Sequence, residues 1–198
     1  MYEYRRLTPE QRKELVEERL RRGFPPHSPP HPVREHDVYL LTAVCYEHAH
    51  HMRDEARRRE VLDAIFEHFV LASIELRAWV VLPNHYHLLV KVADFGDLSG
   101  CFHRVHGATA RAWNREDKAA GRKVWYRFSD RGIRSEAHYF TTLNYIHYNP
   151  VKHGCVASPY DWAESSVHWY LEHQGREWLR DAWSRYPLRA YGEGWDDL

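Results

Sequence analysis

Apolar residues recur with two different periods along the middle of the chain and divide it into a regular series of elements. β-Branched and aromatic runs bounded by turn residues favour strands, whereas apolar residues three and four positions apart favour helices. The predicted strands are 38–46, 74–82, 85–92 and 123–128, and the predicted helices are 53–72 and 98–119. This order is typical of a ferredoxin-like split βαβ domain of the α+β class, with an antiparallel sheet and both helices on one face.

Polar segments flank this domain. Thr8 and Gln11 have the spacing of a capping box, which predicts a helix over 8–22 before a proline-rich connector at 24–32. We therefore expect an N-terminal helix and proline-rich connector at 1–36 and a main domain at 37–156. The tryptophan-rich residues 157–198 are predicted to form a C-terminal helical extension packed on that domain.

A pair of histidines lies inside the most apolar stretch, W-V-V-L-P-N-H-Y-H-L-L-V-K at 79–91. His85 and His87 are two residues apart, so on a strand both imidazoles project from one face and Tyr86 projects from the other. Two imidazoles on a rigid strand make half of a site for a divalent metal ion. The alternative is a pair of hydrogen-bonded histidines with no ligand.

A third helix is predicted from about Ser135, which can cap its N-terminus, to Tyr148, with Pro150 stopping it. Tyr145 and Asn149 are four residues apart and share one helix face. If that face covers the histidine strand, the site gains an oxygen ligand and a phenol able to act as a nucleophile. The alternative is a buried tyrosine and a capping asparagine.

Charge is distributed unevenly along the chain. The 198 residues contain 28 basic and 28 acidic side chains, and this neutral sum is evidence against a simple electrostatic nucleic-acid binder. Residues 101–134, however, carry nine lysines and arginines against three acids. Four aromatic residues lie among these charges, namely Trp113, Trp125, Tyr126 and Phe128. The pattern is compatible with a surface that stacks bases and binds phosphates. It is equally compatible with a solvated helix face whose aromatic residues belong to the core.

Cysteine and hydropathy patterns limit the environment of the protein. The three cysteines are scattered singly, which argues against a disulfide framework and a cysteine zinc site. No apolar run is long enough to span a bilayer, and the N-terminus does not resemble a signal peptide. We expect a cytoplasmic protein with no membrane partner.

Two segments resemble a known family. L-P-N-H-Y-H-L-L-V, followed downstream by Y-I-H-Y-N-P-V-K-H-G, is similar to the single-tyrosine HUH transposases and most similar to the REP-associated tyrosine transposases. The segment R-F-S-D-R-G-I-R-S between them also resembles the family, and the likeness covers roughly 38–156. Tyr86 departs from the smaller apolar residue that the family usually has between the histidines, and it is expected to affect packing more than ligation.

The resemblance implies an activity and its residues. His85, His87 and Asn149 would hold Mg²⁺ or Mn²⁺, and Tyr145, rather than Tyr148, would attack DNA to form a 5′-phosphotyrosine. The implied enzyme is a single-stranded DNA endonuclease and strand transferase acting at palindromic, REP-like hairpins. The resemblance also implies association with the nucleoid. A monomer is favoured and a dimer is possible. Five candidate DNA contacts lie in the basic segment: Arg104, Arg111, Arg127, Arg131 and Arg134.

Two other functions fit the same residues. A domesticated relative could bind hairpin DNA or RNA without cutting it. A metal hydrolase acting on a small phosphoester is also compatible with the histidines, although the arginine and aromatic content near them favours a polymer substrate.

Overall fold

The structure is a computed structural model that describes residues 7–21 and 37–195, which belong to two separate compact units. The first unit has one described helix, α1 (Pro9–Arg21). The predicted capping box is confirmed at its start. The amide of Gln11 donates to the Thr8 hydroxyl (3.2 Å), and the amide of Thr8 donates to Oε1 of Gln11 (2.9 Å). The predicted connector at 24–32 lies outside the described residues.

The second unit is built on one antiparallel sheet. Its main elements in chain order are β1 (Val38–Val44), α2 (Glu55–Leu71), β2 (Glu75–Val81), β3 (His85–Lys91), α3 (Gly96–Glu116), β4 (Ser129–Gly132) and α4 (Glu136–Lys152). The strand order is β2-β3-β1-β4, with β1 and β3 at the centre. This topology confirms the predicted ferredoxin-like α+β fold.

Different helices cover the two faces of the sheet. Along β3, Tyr86 and Leu88 belong to the core that α2 and α3 cover, whereas Leu89 belongs to a second core shared with α4. Because residues two apart on a strand share a face, His85 and His87 lie on the α4 side with Leu89. The sheet therefore presents both histidines to the third helix.

The predicted fourth strand is misplaced. Residues 123–128 pair with the sheet only through an isolated bridge between Cys45 and Trp125, and β4 itself begins at Ser129. The apolar pattern misled the prediction because Trp125 is buried in the first core, although its neighbours make no continuous ladder.

The predicted end of the third helix is also wrong, since α4 continues through Pro150 to Lys152. Proline removes a single amide, and the following amides still close the last turn. That of His153 donates to the carbonyl of Asn149 (3.1 Å), and that of Cys155 donates to the carbonyl of Pro150 (2.9 Å). Asn149 therefore lies inside the helix rather than at its end.

The C-terminal residues form the predicted helical extension, with a 3₁₀ turn at Pro159–Asp161, α5 (Val167–His173) and α6 (Arg176–Arg185). Ser165 pairs with Val80 and so covers part of the β2 edge. Four tryptophans pack against the second core, namely Trp162, Trp178, Trp183 and Trp195. Within the two described ranges, each helix is too short or too polar to cross a membrane.

Candidate active site

β3 places two histidine side chains close together in the interior. His85 is 2% exposed and His87 is fully buried, and their ring centroids are 5.0 Å apart. Buried polar atoms are costly unless they are paired. The partners of the four ring nitrogens therefore determine what this pair can bind.

Asn84 determines where His85 carries its proton. Nδ2 of Asn84 donates to the carbonyl of His48 (3.3 Å), so Oδ1 is the atom that faces Nδ1 of His85 at 2.7 Å. Because an amide oxygen can only accept, Nδ1 of His85 must be the protonated nitrogen. Nε2 is left with its lone pair, which is the form of imidazole that binds a metal ion.

His87 connects the sheet to the tyrosine of α4. Its Nδ1 lies 2.8 Å from Oγ1 of Thr42, the residue opposite it on β1, and its Nε2 lies 3.4 Å from the hydroxyl of Tyr145. With the proton on Nδ1, Nε2 accepts from the phenol. The Tyr145 ring packs edge-on against the imidazole with centroids 5.1 Å apart.

α4 brings Asn149 to the same place. Its Oδ1 lies 3.2 Å from Nε2 of His85, so two acceptor atoms face each other, and its buried Nδ2 has no hydrogen-bond partner among the described residues. Adjacent ligands at about 2.1 Å from an octahedral ion lie about 3 Å apart. The spacing of this pair therefore fits two ligands of one divalent cation.

The donor set also limits the metal. Within residues 7–21 and 37–195, no three His, Cys, Asp or Glu side chains are grouped to hold a metal ion, so a site at the histidines needs the amide of Asn149. The ring of His153, one turn beyond Asn149, lies 4.9 Å from that of His85. Imidazole nitrogens suit Mn²⁺ better than Mg²⁺, which prefers oxygen.

The candidate nucleophile is covered by residues 188–195, which we call the C-terminal cover. Tyr145 is only 1% exposed, and the rings of Tyr191 and Trp195 lie 5.7 and 5.6 Å from its ring. Gly192 has a φ of +80° and lies so close that a methyl group there would overlap the phenol ring. A large substrate can reach Tyr145 only if this cover moves.

Several contacts hold the cover in place. Lys152 donates to the carbonyl of Gly192 (2.9 Å), and the Arg131 guanidinium stacks 3.7 Å from the centroid of Trp195. The Tyr191 hydroxyl hydrogen-bonds Thr142 and Nε2 of His138, and burial raises its pKa. Two cations therefore help to keep the cover over the phenol.

The structure distributes the five candidate DNA-binding arginines over both faces of the sheet. Arg104 and Arg111 are exposed on α3, on the face opposite the histidines. Arg131 lies beside the site through Trp195, and Arg127 and Arg134 are exposed near β4. Of the five, Arg127, Arg131 and Arg134 lie in the region of the sheet next to the candidate nucleophile.

Two aromatics of the basic segment are core residues, so the stacked-base interpretation is wrong for them. Trp113 is fully buried and donates to Glu60 (2.7 Å), and Trp125 is 8% exposed and donates to Thr109 (3.0 Å). Phe128 is partly buried against the same core. Tyr126 remains half-buried at the surface.

Sequence reasoning missed the residues that support the site. Asn84 stands directly before His85, and its position in the same motif was the available signal. Thr42 and Gly192 gave no such signal, since the first depends on strand register and the second on tertiary packing. Tyr148, the competing tyrosine, is 44% exposed and lines an apolar pocket with Trp183, whereas the buried Tyr145 contacts His87.

Two proteins that carry a family name are similar to this chain in sequence. The REP-associated tyrosine transposase of Escherichia coli K12 is 32% identical over 96 residues, covering 48% of this chain and 54% of the relative. A Haemophilus influenzae protein that carries the same family name is 32% identical over 112 residues, covering 52% and 62%. The chain thus spans less than two thirds of either relative. No family model matches it.

The fold has a solved counterpart. A structure described as a REP-associated tyrosine transposase bound to a REP hairpin aligns with a TM-score of 0.59 at 22% identity, covering 74% of this chain and 88% of the other. At that identity the likeness establishes the fold alone. The histidine and tyrosine motifs meet in one site on this fold, and over about half of its length the chain is similar in sequence to two REP-associated tyrosine transposases.

Proposed function

We propose that the chain is a metal-dependent single-stranded DNA endonuclease and strand transferase that forms a 5′-phosphotyrosine intermediate. The observation that supports this most directly is the convergence of Tyr145, His87, His85 and Asn149 within hydrogen-bonding distances of 3.2 and 3.4 Å. A phenol beside two histidines and an amide oxygen is the constellation that such a reaction needs.

The proposed metal is Mn²⁺ or Mg²⁺, held by His85, His87 and Asn149. When bound, a divalent ion polarises the scissile phosphate and neutralises developing charge. Asn84 and Thr42 orient the two imidazoles from behind, so that their Nε2 atoms point into the site.

Tyr145 is the proposed nucleophile. Its hydroxyl lies 3.4 Å from Nε2 of His87, so the phenol oxygen stands directly beside the proposed metal site, and the ammonium of Lys152 lies 5.3 Å from the ring centroid. The phenol gives up its proton to water as its oxygen attacks phosphorus in line. The phosphotyrosine bond forms as the bond to the leaving 3′-oxygen breaks, and that oxygen takes up a proton from water. Attack by another 3′-hydroxyl reverses the step, so bond energy is retained and no nucleotide hydrolysis is needed.

Palindromic hairpins are the proposed substrate. The solved protein of the same fold is described as bound to a REP hairpin, and two relatives carry the REP-associated name. Arg127, Arg131 and Arg134, near the histidine face, are the proposed phosphate contacts. Such contacts make binding weaken as salt rises.

A second candidate function is a hairpin-binding protein that no longer cuts. The observation favouring it is the C-terminal cover, which leaves Tyr145 only 1% exposed. The complete set of candidate ligands and nucleophile favours the enzyme.

One gel experiment separates these functions. The protein is incubated with Mn²⁺ and end-labelled single-stranded DNA carrying the palindromic repeats of its own genome, and a covalent adduct is sought under denaturing conditions. The enzyme gives a band that disappears with EDTA and in Tyr145→Phe but persists in Tyr148→Phe, the matched control one turn away. Tight hairpin binding with no band would instead support the binding protein. Turnover of a small phosphoester that survives Tyr145→Phe would support a hydrolase.

A further inference from the structure

Beside the histidines, a small surface combines two tyrosines with a lysine. The rings of Tyr46 and Tyr126 are 4.9 Å apart and tilted by 47°, and Nζ of Lys123 lies 4.4 Å and 5.4 Å from their centroids. Both rings are half-buried and Lys123 is exposed. We call these three residues the tyrosine–lysine platform.

The sheet places the platform on the histidine face. Trp125 bridges Cys45 and points into the first core, so Tyr126, the next residue, points to the opposite face. Its amide donates to the carbonyl of Val44 (2.9 Å), and Val44 is the β1 partner of His85. Two strand spacings, about 10 Å, therefore separate the backbone of Tyr126 from that of His85.

One amide side chain links the platform to the site. The 3₁₀ turn Tyr46–His48 follows β1, and the amide of Tyr46 donates to the carbonyl of Val124 (2.7 Å). The carbonyl of His48 accepts from Asn84, the residue that also orients His85. The turn that carries one tyrosine is thus fixed relative to a candidate metal ligand.

We propose that the tyrosine–lysine platform stacks an unpaired base of the DNA strand next to the scissile phosphate, an inference that rests on the proposed function. Aromatic faces bind bases of any sequence, and a lysine beside them pairs with the backbone phosphate. Lys123 lies over both rings, so an entering base displaces its ammonium, which then contacts the phosphate of the same nucleotide. The surplus of basic residues in 101–134 complements that charge.

Binding measured in EDTA tests the platform without cleavage. Two labelled probes are compared by fluorescence anisotropy: a DNA hairpin with unpaired strand on each side, and the same hairpin alone. Tyr126→Ala should bind the extended probe at least about fivefold more weakly than the unmodified protein and bind the bare hairpin equally well. Tyr126→Phe, which keeps the ring, should behave like the unmodified protein. Lys123→Gln should reduce the slope of log K against log salt concentration by about one, the change expected for the loss of one phosphate contact.

Abasic substitutions locate the stacked nucleotide. Removing the base at one unpaired position should weaken binding by the unmodified protein and have no further effect on Tyr126→Ala, because the two changes delete the same contact. The control is Trp169→Ala, which removes an exposed aromatic that stacks on His173 (4.3 Å) far along the chain on α5.

The outcomes separate this inference from the proposed function. Equal loss on both probes, additive effects at every abasic position, or a Phe variant as weak as the Ala variant would overturn the platform. If Tyr126→Ala binds like the unmodified protein while the adduct with Tyr145 forms normally, only the platform is wrong. If the extension is recognised through Tyr126 but no adduct forms with Mn²⁺, the platform stands and the cleavage activity does not.

Discussion

Oδ1 of Asn84 lies 2.7 Å from Nδ1 of His85, and this contact holds the proton of the neutral imidazole on Nδ1, so that Nε2 keeps its lone pair for a metal ion. Asn84→Ala should therefore weaken Mn²⁺ binding about 10- to 100-fold, the usual cost of losing an outer-shell partner of a metal-bound histidine. Isothermal titration calorimetry checks this without reference to activity.

Asn114 provides the matched control for that measurement. It makes a similar pair of hydrogen bonds, to the carbonyl and the guanidinium of Arg122, on the far side of the sheet. Asn114→Ala should leave Mn²⁺ affinity unchanged. An Asn84→Ala protein that folds and binds Mn²⁺ normally would show that the contact does not control the site.

Gly192→Ala should open the C-terminal cover, because the added methyl group would overlap the Tyr145 ring. We expect faster adduct formation with DNA and faster trypsin cleavage after Arg189. Gly121→Ala is the control, since Gly121 has the same φ of +80° but nothing within 4 Å of the added carbon. Gly121→Ala should therefore show only the effect of backbone strain on stability, with no opening of the cover. If both alanine variants change trypsin sensitivity at Arg189 equally, the steric explanation fails.

Arg58→Ala should cost about 3–5 kcal/mol of unfolding free energy, because it removes the buried partner of a buried carboxylate. Nε of Arg58 lies 2.8 Å from Glu164, which is 2% exposed, and the guanidinium also donates to the carbonyls of Met52 and Arg53. Urea denaturation measures the loss. Arg59 also approaches Glu164, at 3.8 Å, but is 60% exposed, so Arg59→Ala should cost less than about 1 kcal/mol. Similar losses for the two variants would contradict the burial argument.

His106 should make the fold sensitive to acid. Burial lowers its pKa from 6.5 to about 3 in the folded protein, where Nε2 faces the Tyr86 hydroxyl at 2.7 Å. Between pH 6.5 and about pH 3, the unfolded chain therefore binds a proton at His106 that the folded chain does not bind. Stability is complete above pH 6.5 and falls, by at most about 1.4 kcal/mol per pH unit for this group, as the pH drops towards 3.

The non-titrating variant His106→Gln tests this assignment. Its unfolding free energy should depend less on pH than that of the unmodified protein between about pH 6 and pH 4. Urea titrations at several pH values measure both slopes. Identical slopes would assign the acid sensitivity to other groups.

The sequence predicted the sheet topology because local patterns and element order determine it. Period-two alternation in β3 separated Tyr86 from the histidines correctly, and Tyr86 lies in the opposite core. The predicted boundaries of the fourth strand and the third helix were wrong, because tertiary contacts override local preference there. Trp125 looks like a strand residue because it is buried, and Pro150 remains helical because it falls in a last turn that later amides complete.

The site was predictable only in part. Four-residue spacing placed Tyr145 and Asn149 on one helix face, but the contact with the histidines depends on how α4 packs across the sheet. Thr42 reaches His87 only through the register of β1 against β3. The cover at Gly192 lies more than forty residues from Tyr145 in sequence, and no periodicity links the two.

The histidines and the tyrosine come from one chain, because α4 packs on its own sheet and Tyr145 reaches His87 of the same molecule. This arrangement has a genetic consequence. Two defective copies of the gene, one encoding His87→Ala and the other Tyr145→Phe, should fail to complement each other when expressed together. Each product lacks one residue of its own site, and the intact residue of the other molecule does not enter that site. Restored cleavage in such a mixture would require helices exchanged between molecules.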